Sequence, residues 1–225
     1  MPQLRRVPAE APGDWLESIA SGESPGVVVS GVLSASDCAA CVEALSRLPA
    51  ETHPDYPSRT VGQVLLTSSD FSAYAAAARR MEAAMPPGVL ARLTSVLRAM
   101  APGRRFRVPK RSGQHYAGFT ARVLPAGAGI QRHAERSDWP AMAELRQQLD
   151  LEVQLSVYLQ LQRPTSGGQL RLLERGVDVD LAEGDVVVFD GTRNNHEVTP
   201  VVGDRERWTL GGFLVVDAEQ VVLWS

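Results

Sequence analysis

Glu152-Val-Gln-Leu-Ser-Val-Tyr-Leu-Gln-Leu-Gln162 is a stretch in which polar and apolar side chains alternate without exception. In an extended backbone, successive side chains point to opposite faces, so the valines and leucines share one face and the polar residues share the other. A period of two over this length predicts a β-strand with one apolar face. The segment therefore indicates a sheet that packs its apolar face against a core.

Further short strands are predicted on both sides of this segment, with turns that contain glycine or proline between them. They are Phe119–Leu124, Gln169–Leu173, Val177–Leu181, Val186–Phe189, His196–Thr199, Trp208–Val216 and Gln220–Trp224. One helix interrupts the series, because Ser137 is a suitable N-cap, Pro140 fits the first turn, and the helix is expected to run to about Leu149. Many short strands of this kind are typical of an antiparallel sandwich or barrel.

The first half of the chain shows the apolar periodicity of helices after an opening strand, Gly26–Leu33. Ser34 and Asp37 form a capping-box pattern, and the apolar spacing after them predicts a helix through Leu48. Two more helices are expected at Phe71–Met85 and Gly88–Met100, whereas the proline-containing segment Pro49–Thr60 is predicted to be a loop.

The spacing of apolar residues changes from a helical to a strand pattern near residue 112. The chain is nevertheless predicted to be a single domain, residues 1–225. In it, residues 1–111 provide a strand and helical support, and residues 112–225 form the core. The fold class is α+β, with a jelly-roll (double-stranded β-helix) core and the N-terminal helices packed on one sheet.

The composition is that of an ordinary globular protein, with 44% hydrophobic and 22% charged residues. The net charge of −3 and the pI near 5.8 argue against a dedicated nucleic-acid binder, which needs a basic surface. No apolar stretch reaches the length of a membrane span, so no membrane partner is expected. One cluster of basic residues stands out in this acidic chain: Arg104, Arg105, Arg107, Lys110 and Arg111. It is either a solvated surface segment or a rim of the active site that attracts an anionic substrate.

The two cysteines, Cys38 and Cys41, form a C-x-x-C in a predicted helix interior with alanine neighbours. A structural zinc would need two more ligands nearby, and a redox motif would need to open a helix after a strand. They are therefore interpreted as packing residues. The absence of a disulfide framework, together with an N-terminus that has no apolar signal core, favours a cytoplasmic location.

A metal site is predicted from His133, Glu135 and His196. His133 and Glu135 are two residues apart, so in extended backbone both side chains leave the same face. His196 follows a later apolar strand and a polar turn, from which it can complete the site. Two imidazoles and one carboxylate leave open positions on an octahedral metal, as in non-haem Fe(II) oxygenases, but the same ligand types also serve hydrolytic zinc.

The segment after His196 favours iron with a carboxylate cosubstrate. Arg207 begins the next strand, and Thr209 points the same way, so a rigid guanidinium stands beside a hydroxyl, a pair suited to anchoring a carboxylate. Arg205 is the competing anchor, but Gly203-Asp-Arg205 reads as a turn. A zinc hydrolase would instead need a second carboxylate as general base, and none has a suggestive spacing.

These pieces together resemble the prolyl-4-hydroxylase-type branch of the Fe(II)/2-oxoglutarate oxygenase superfamily. The matching motifs occur in the family's order over roughly residues 112–216: His133-x-Glu135, Tyr158-Leu159 followed by Gly167-Gly168-Gln-Leu, Gly184-Asp185, His196-x-Val-x-Pro200 and Arg207-x-Thr209. The resemblance implies an enzyme that uses Fe(II), 2-oxoglutarate and O2, with His133, Glu135 and His196 on the iron. It also implies that Arg207 binds the distal carboxylate of 2-oxoglutarate, with Tyr158 and Thr209 assisting.

One position departs from the resemblance, because most relatives in this branch have aspartate where this chain has Glu135. Halogenases of the superfamily have glycine or alanine there, so that chloride can bind the metal. A carboxylate at this position therefore favours hydroxylation over halogenation.

The substrate is expected to be a small molecule, an amino acid or natural-product intermediate, because the chain is short and shows no appended recognition module. A peptidyl or protein side chain is the next alternative, and a cupin-like metal enzyme that does not use 2-oxoglutarate is another. The helix after Glu135 is placed to act as a lid, with Trp139 either lining the entrance or packing internally.

Overall fold

The computed structural model describes residues 4–53, 56–63, 65 and 70–225. Within these residues a major sheet of ten strands faces a smaller sheet of four, and helices cover the outer side of the major sheet. The α+β jelly-roll fold with helices packed on one sheet is therefore confirmed.

The strands are β1 Arg5–Pro8, β2 Gly26–Ser30, β3 Ala50–Thr52, β4 Arg59–Val61, β5 Arg105–Arg107, β6 Lys110–Arg111, β7 Gln114–His115, β8 Thr120–Leu124, β9 Ile130–His133, β10 Leu155–Gln162, β11 Ser166–Gly167, β12 Leu170–Leu172, β13 Val177–Val179, β14 Val186–Asp190, β15 His196–Val198, β16 Val201–Val202, β17 Arg207–Val216 and β18 Gln220–Trp224. The helices are α1 Trp15–Ala20, α2 Ala35–Ser46, α3 Phe71–Ala84, α4 Val89–Ala99 and α5 Ala143–Gln148, with 3-10 turns at Pro140–Met142 and Leu173–Arg175.

The major sheet has the order β1-β2-β14-β10-β17-β8-β4-β3, and β18 joins it beside β17 and β5. The smaller sheet has the order β13-β12-β15-β9. Strands from the first 111 residues thus complete the major sheet, so the change of pattern near residue 112 does not separate helices from strands. That the chain forms one domain stays a prediction.

The two faces of β10 explain why the sheets stack as they do. Its apolar face, with Leu155 and Leu159, is buried against the helices, where Leu45 of α2 lies in the same core. Its polar face turns inward towards the smaller sheet, and Ser156 and Gln160 on it are buried as well. The alternation predicted from the sequence is therefore real, but the polar face turns into the molecule, where only Tyr158 and Gln162 are partly exposed.

The predicted helix start at Ser34 is confirmed. The Asp37 N–H donates to Ser34 Oγ at 3.1 Å and the Ser34 N–H donates to Asp37 Oδ2 at 3.4 Å, which completes the capping box. Cys38 and Cys41 are fully buried in this helix, and burial raises the pKa of both thiols, of Cys41 to about 11. Inert, buried thiols agree with the packing interpretation.

Two sequence predictions were wrong. The segment Pro49–Thr60 is not simply a loop, because β3 and β4 form a hairpin there, apart from residues 54 and 55, which lie outside the described residues. The strand β4 also pairs with the distant β8, and a partner far away in sequence leaves no local pattern.

The helix predicted to start at Ser137 begins instead with a 3-10 turn at Pro140, with Trp139 as the N-cap. The guanidinium of Arg146 donates to the carbonyl oxygens of Ser137 and Trp139, which holds the segment before Pro140 in a non-helical conformation.

Candidate metal centre

His133 and His196 are brought together by strand pairing. The last residue of β9 is His133 and the first residue of β15 is His196, and the antiparallel register places their Cα atoms opposite each other. The two ring centroids lie 4.3 Å apart. The edge of the smaller sheet thus joins two residues that are distant in sequence.

Glu135 follows β9 and is fixed by the turn after β14. Its N–H donates to the carbonyl oxygen of Gly191 at 2.9 Å, and Ser156 Oγ donates to its Oε1 at 3.2 Å. A Cβ atom at position 191 would lie 2.4 Å from Ser156 Oγ and 2.6 Å from Glu135 Cγ. Position 191 therefore requires glycine for the carboxylate to approach the histidines.

Hydrogen bonds select the tautomer of each imidazole. Nδ1 of His133 donates to the carbonyl oxygen of Gln131 at 2.8 Å, and Nδ1 of His196 donates to that of Asn194 at 3.0 Å. Because a carbonyl oxygen only accepts, both Nδ1 atoms carry a proton, and in the neutral ring this leaves the Nε2 lone pair free to bind a metal ion. Nε2 of His196 is buried, makes no hydrogen bond with the described residues, and lies 3.5 Å from Glu135 Oε1.

The pKa shifts of His133 and Glu135 agree with a site that binds a metal ion. Burial, followed by the nearby His196, lowers the pKa of His133, which favours the neutral ring that binds metal. Burial opposes the charge on Glu135, but His196 and His133 outweigh it and lower the pKa of the carboxyl. One ligand atom from each of the three residues lies within 4.8 Å of the others, so the three can hold one metal ion.

Arg207, Thr209 and Tyr158, the residues predicted to bind the cosubstrate, lie on two neighbouring strands. Arg207 and Thr209 are buried on β17, two residues apart, and Tyr158 lies on the neighbouring strand β10. Burial lowers the pKa of Arg207 to about 10, so the guanidinium stays charged at neutral pH, and its Nε atom has no partner in the described part of the chain. Arg205, by contrast, is half exposed and pairs with Glu183 at 2.9 Å.

A cavity of about 310 Å³ opens beside His133 and Glu135, two of the three candidate ligands. His133, Glu135, Tyr158 and Thr209 line it, whereas Arg207 lines a separate crevice of about 20 Å³ together with Gln160 and Gly168. Trp139 also lines the main cavity with 42% of its surface exposed, so the packing alternative for this side chain is wrong.

The basic cluster at 104–111 does not line this cavity. Arg104 donates to Asp14 at 2.6 Å and to Glu17 at 2.7 Å, and Arg111 pairs with Glu144 at 2.6 Å. Arg107 donates to the side chain of Gln220. The arrangement agrees with the surface interpretation rather than with a substrate-attracting rim.

A family model for the carrier-protein-independent halogenase WelO5 matches residues 7–179 and 173–225 of the chain. The chain belongs to the WelO5 family. It is therefore a 2-oxoglutarate-dependent iron oxygenase, and the superfamily resemblance stated from its motifs is confirmed. No curated protein sequence matches the chain.

Solved structures show the same fold. A 2OG-Fe(II) oxygenase family oxidoreductase from Burkholderia pseudomallei is 19% identical, with a TM-score of 0.57 over 95% of this chain and 94% of that one. An N-substituted L-amino acid dioxygenase from Burkholderia ambifaria AMMD is 14% identical, with a TM-score of 0.54 over 93% of this chain and 90% of that one.

Three further residues that contact the candidate ligands or line the cavity were not predicted from the sequence. Gly191 and Ser156 act on Glu135 through contacts that only the fold creates. Arg122 lines the cavity from β8, where it stands opposite Thr209 in the neighbouring strand. The only available signal for Arg122 was a charged residue inside a strand of otherwise mostly apolar residues.

The described part of the chain contains no helix that is long and apolar enough to cross a membrane.

Proposed function

We propose that this WelO5-family protein is a hydroxylase of a small substrate, with Fe(II) held by His133, Glu135 and His196. The buried, unpartnered Nε2 of His196, 3.5 Å from the Glu135 carboxylate, is the observation that carries the proposal. A buried polar atom without a partner destabilises a fold, so a metal ion at this point explains why it is kept. The two backbone carbonyls on the Nδ1 atoms are the outer partners that orient metal-binding histidines.

We also propose that Arg207 binds the distal carboxylate of 2-oxoglutarate, with Thr209 and Tyr158 beside it. Arg207 is 4% exposed, and its buried Nε has no hydrogen-bond partner among the described residues. Burying a guanidinium is costly unless an anion accompanies it, and a carboxylate matches its planar donors. A Cβ atom at position 168 would lie 3.0 Å from Arg207 Cδ, so Gly168 leaves the space in which the arginine lies.

Iron with 2-oxoglutarate and O2 supplies the oxidation: one oxygen atom of O2 enters a substrate C–H bond as hydroxyl, the other enters succinate, and CO2 leaves. The chain's own residues bind and orient the reactants and exclude water. Ser156 and Gly191 hold the carboxylate of Glu135 towards the histidines.

Hydroxylation is favoured over halogenation although the family model carries the name of a halogenase. A halogenase needs a metal position at which chloride replaces a protein carboxylate. In this chain Glu135 occupies that position and is held there by a backbone and a side-chain hydrogen bond. The carboxylate is thus part of a built site, rather than a side chain that can turn away easily.

The size of the cavity supports a small substrate, because about 310 Å³ lies at the lower end of ligand pockets, which span roughly 300–1,000 Å³. An amino acid or natural-product intermediate fits this range better than a peptidyl or protein side chain. A cytoplasmic location accompanies the proposal, since both cysteines are free, buried thiols.

The test is anaerobic addition of Fe(II) and 2-oxoglutarate to the purified protein, followed by O2. We expect a visible charge-transfer band before O2 and succinate after it, and we expect His196→Ala to lose both. His115→Ala is the matched control, since His115 is an exposed histidine on β7. A protein that gives neither the band nor succinate would contradict the proposal, and a metal enzyme that does not use 2-oxoglutarate would then be favoured.

A further inference from the structure

Arg122 is a cation inside the cavity that the proposed metal and cosubstrate sites do not use. Its strand, β8, lies between β4 and β17, and the register places Arg122 opposite Thr60 on one side and Thr209 on the other. The side chain lines the cavity together with His133 and Glu135. It is only partly exposed, so the strand pairing fixes its place in the wall.

Among the described residues, Arg122 forms no ion pair or hydrogen bond with a carboxylate. The contrast is Arg136, which lines the same cavity but is neutralised by a bidentate contact with Asp138. Burial, and to a smaller extent the charge of Arg122, lowers the pKa of Arg207. Two like charges in one partly desolvated region are unfavourable unless anions separate and neutralise them.

A count of the formal charges leaves one positive charge when 2-oxoglutarate is the only bound anion. Fe(II) contributes +2, 2-oxoglutarate −2, Glu135 −1, and Arg122 and Arg207 +1 each, which sums to +1. The histidines add nothing when they bind metal as neutral rings. A monoanionic substrate would bring the sum to zero, and Arg122 is the cavity cation without a described carboxylate partner.

The rest of the wall indicates what the substrate carries besides its charge. Apolar and aromatic side chains line the same cavity, namely Leu65, Trp139, Met142, Phe213 and Trp224. Such surfaces bind an apolar body, while a single fixed cation orients it. We propose that Arg122 binds the carboxylate of the substrate, which is a small monoanionic carboxylic acid with an apolar body. This inference rests on the proposed function, since it takes the metal and Arg207 as the sites of the cosubstrate.

The test compares carboxylic acids with their primary amides, which have nearly the same size but no charge. The probes are N-acetyl-L-leucine and N-acetyl-L-phenylalanine with their amides, added to protein that is loaded with Mn(II) and 2-oxoglutarate without O2. Binding is followed by calorimetry and by tryptophan fluorescence, since Trp139 and Trp224 line the cavity. We expect at least one acid to bind at least about tenfold more tightly than its amide, the effect of one charge-assisted pair.

Variants of Arg122 assign this preference to a residue. Arg122→Gln is expected to bring the ratio of acid to amide affinity close to one, while Arg122→Lys keeps part of it. Arg105→Gln, at an exposed arginine of β5 that does not line the cavity, is the control and is expected to leave the ratio unchanged. The dissociation constant of 2-oxoglutarate is measured for each variant and is expected to change less than about twofold for Arg122→Gln.

Two outcomes would overturn the inference. One is that neither acid binds the wild-type protein more tightly than its amide, a comparison that does not depend on any variant folding. The other is that Arg122→Gln weakens 2-oxoglutarate as much as it weakens the acids, which would make Arg122 a ligand of the cosubstrate. The protein could instead fail to bind 2-oxoglutarate and still prefer acids in a way that depends on Arg122. That result would support Arg122 as the carboxylate-binding residue and refute the proposed function.

Discussion

Two buried side-chain nitrogen atoms are the main indication of a ligand-binding site. Nε2 of His196 and Nε of Arg207 are both buried, and neither has a hydrogen-bond partner in the described part of the chain. Such atoms cost stability in the free protein, so their retention indicates that ligands satisfy them. The two atoms belong to the proposed metal site and the proposed cosubstrate site, respectively.

Glu135→Ala is expected to abolish hydroxylation, because it removes the only carboxylate among the three candidate ligands. Succinate formation and product analysis by mass spectrometry measure the loss. Because the smaller side chain leaves room at the metal, chloride should shift the anaerobic Fe(II)–2-oxoglutarate band of this variant and not that of the wild type. Full hydroxylation by Glu135→Ala would remove Glu135 from the metal site.

Arg207→Gln is expected to weaken 2-oxoglutarate binding by at least about 100-fold, since one partner of a buried ion pair would be missing. The thermal unfolding midpoint of the free protein should stay the same or rise, because an unpaired buried charge is removed. Calorimetry with Mn(II)-loaded protein measures the affinity. Arg205→Gln is the control, and a larger loss for Arg205 than for Arg207 would reverse the assignment of the anchor.

At the scale of elements, the site depends on how strand ends meet. The pairing of β9 with β15 sets the two histidines side by side, and the turn after β14 supplies the Gly191 carbonyl that holds Glu135. The inward face of β10 adds Ser156 and Tyr158. Four strands from two sheets therefore position a site that occupies few residues.

The contacts of Glu135 with β10 and with the turn after β14 can be tested by measuring the affinity for the metal ion. We expect Ser156→Ala to weaken Fe(II) or Mn(II) binding about tenfold, as is typical of lost outer partners of metal ligands. Gly191→Ala should weaken it further, because the new Cβ would collide with both Ser156 Oγ and Glu135 Cγ. Ser166→Ala, at an exposed serine of β11, is the control. Unchanged metal affinity in Gly191→Ala would show that Glu135 does not need this turn.

At the scale of the whole molecule, the ligands are expected to stabilise the fold by binding only its folded state. With Mn(II) present, 2-oxoglutarate at 100 times its dissociation constant should add about 2.7 kcal/mol to the free energy of unfolding. Thermal unfolding with and without 2-oxoglutarate measures this. Arg207→Gln should keep the increment from the metal and lose that from 2-oxoglutarate, and equal increments in both proteins would contradict the proposed anchor.

Much of the fold could be predicted because local patterns agree with it. The alternation in β10, the capping box at Ser34 and the glycine-containing turns each act over a few residues. The hairpin of β3 and β4 and the 3-10 start at Pro140 were not predicted, because the first depends on pairing with β8 and the second on the hydrogen bonds of Arg146.

By itself, the sequence determined the strand pattern of β10, the spacing of His133 and Glu135 on one face, and the order in which His196 and Arg207 follow them. The first two features are local patterns and the third is the order of motifs, and the sequence shows both directly. Only the tertiary structure decided that His196 pairs with His133, that Gly191 and Ser156 hold Glu135, and that Arg122 enters the cavity. These contacts join residues far apart in sequence, and strand register and burial, rather than spacing along the chain, determine which side chains meet.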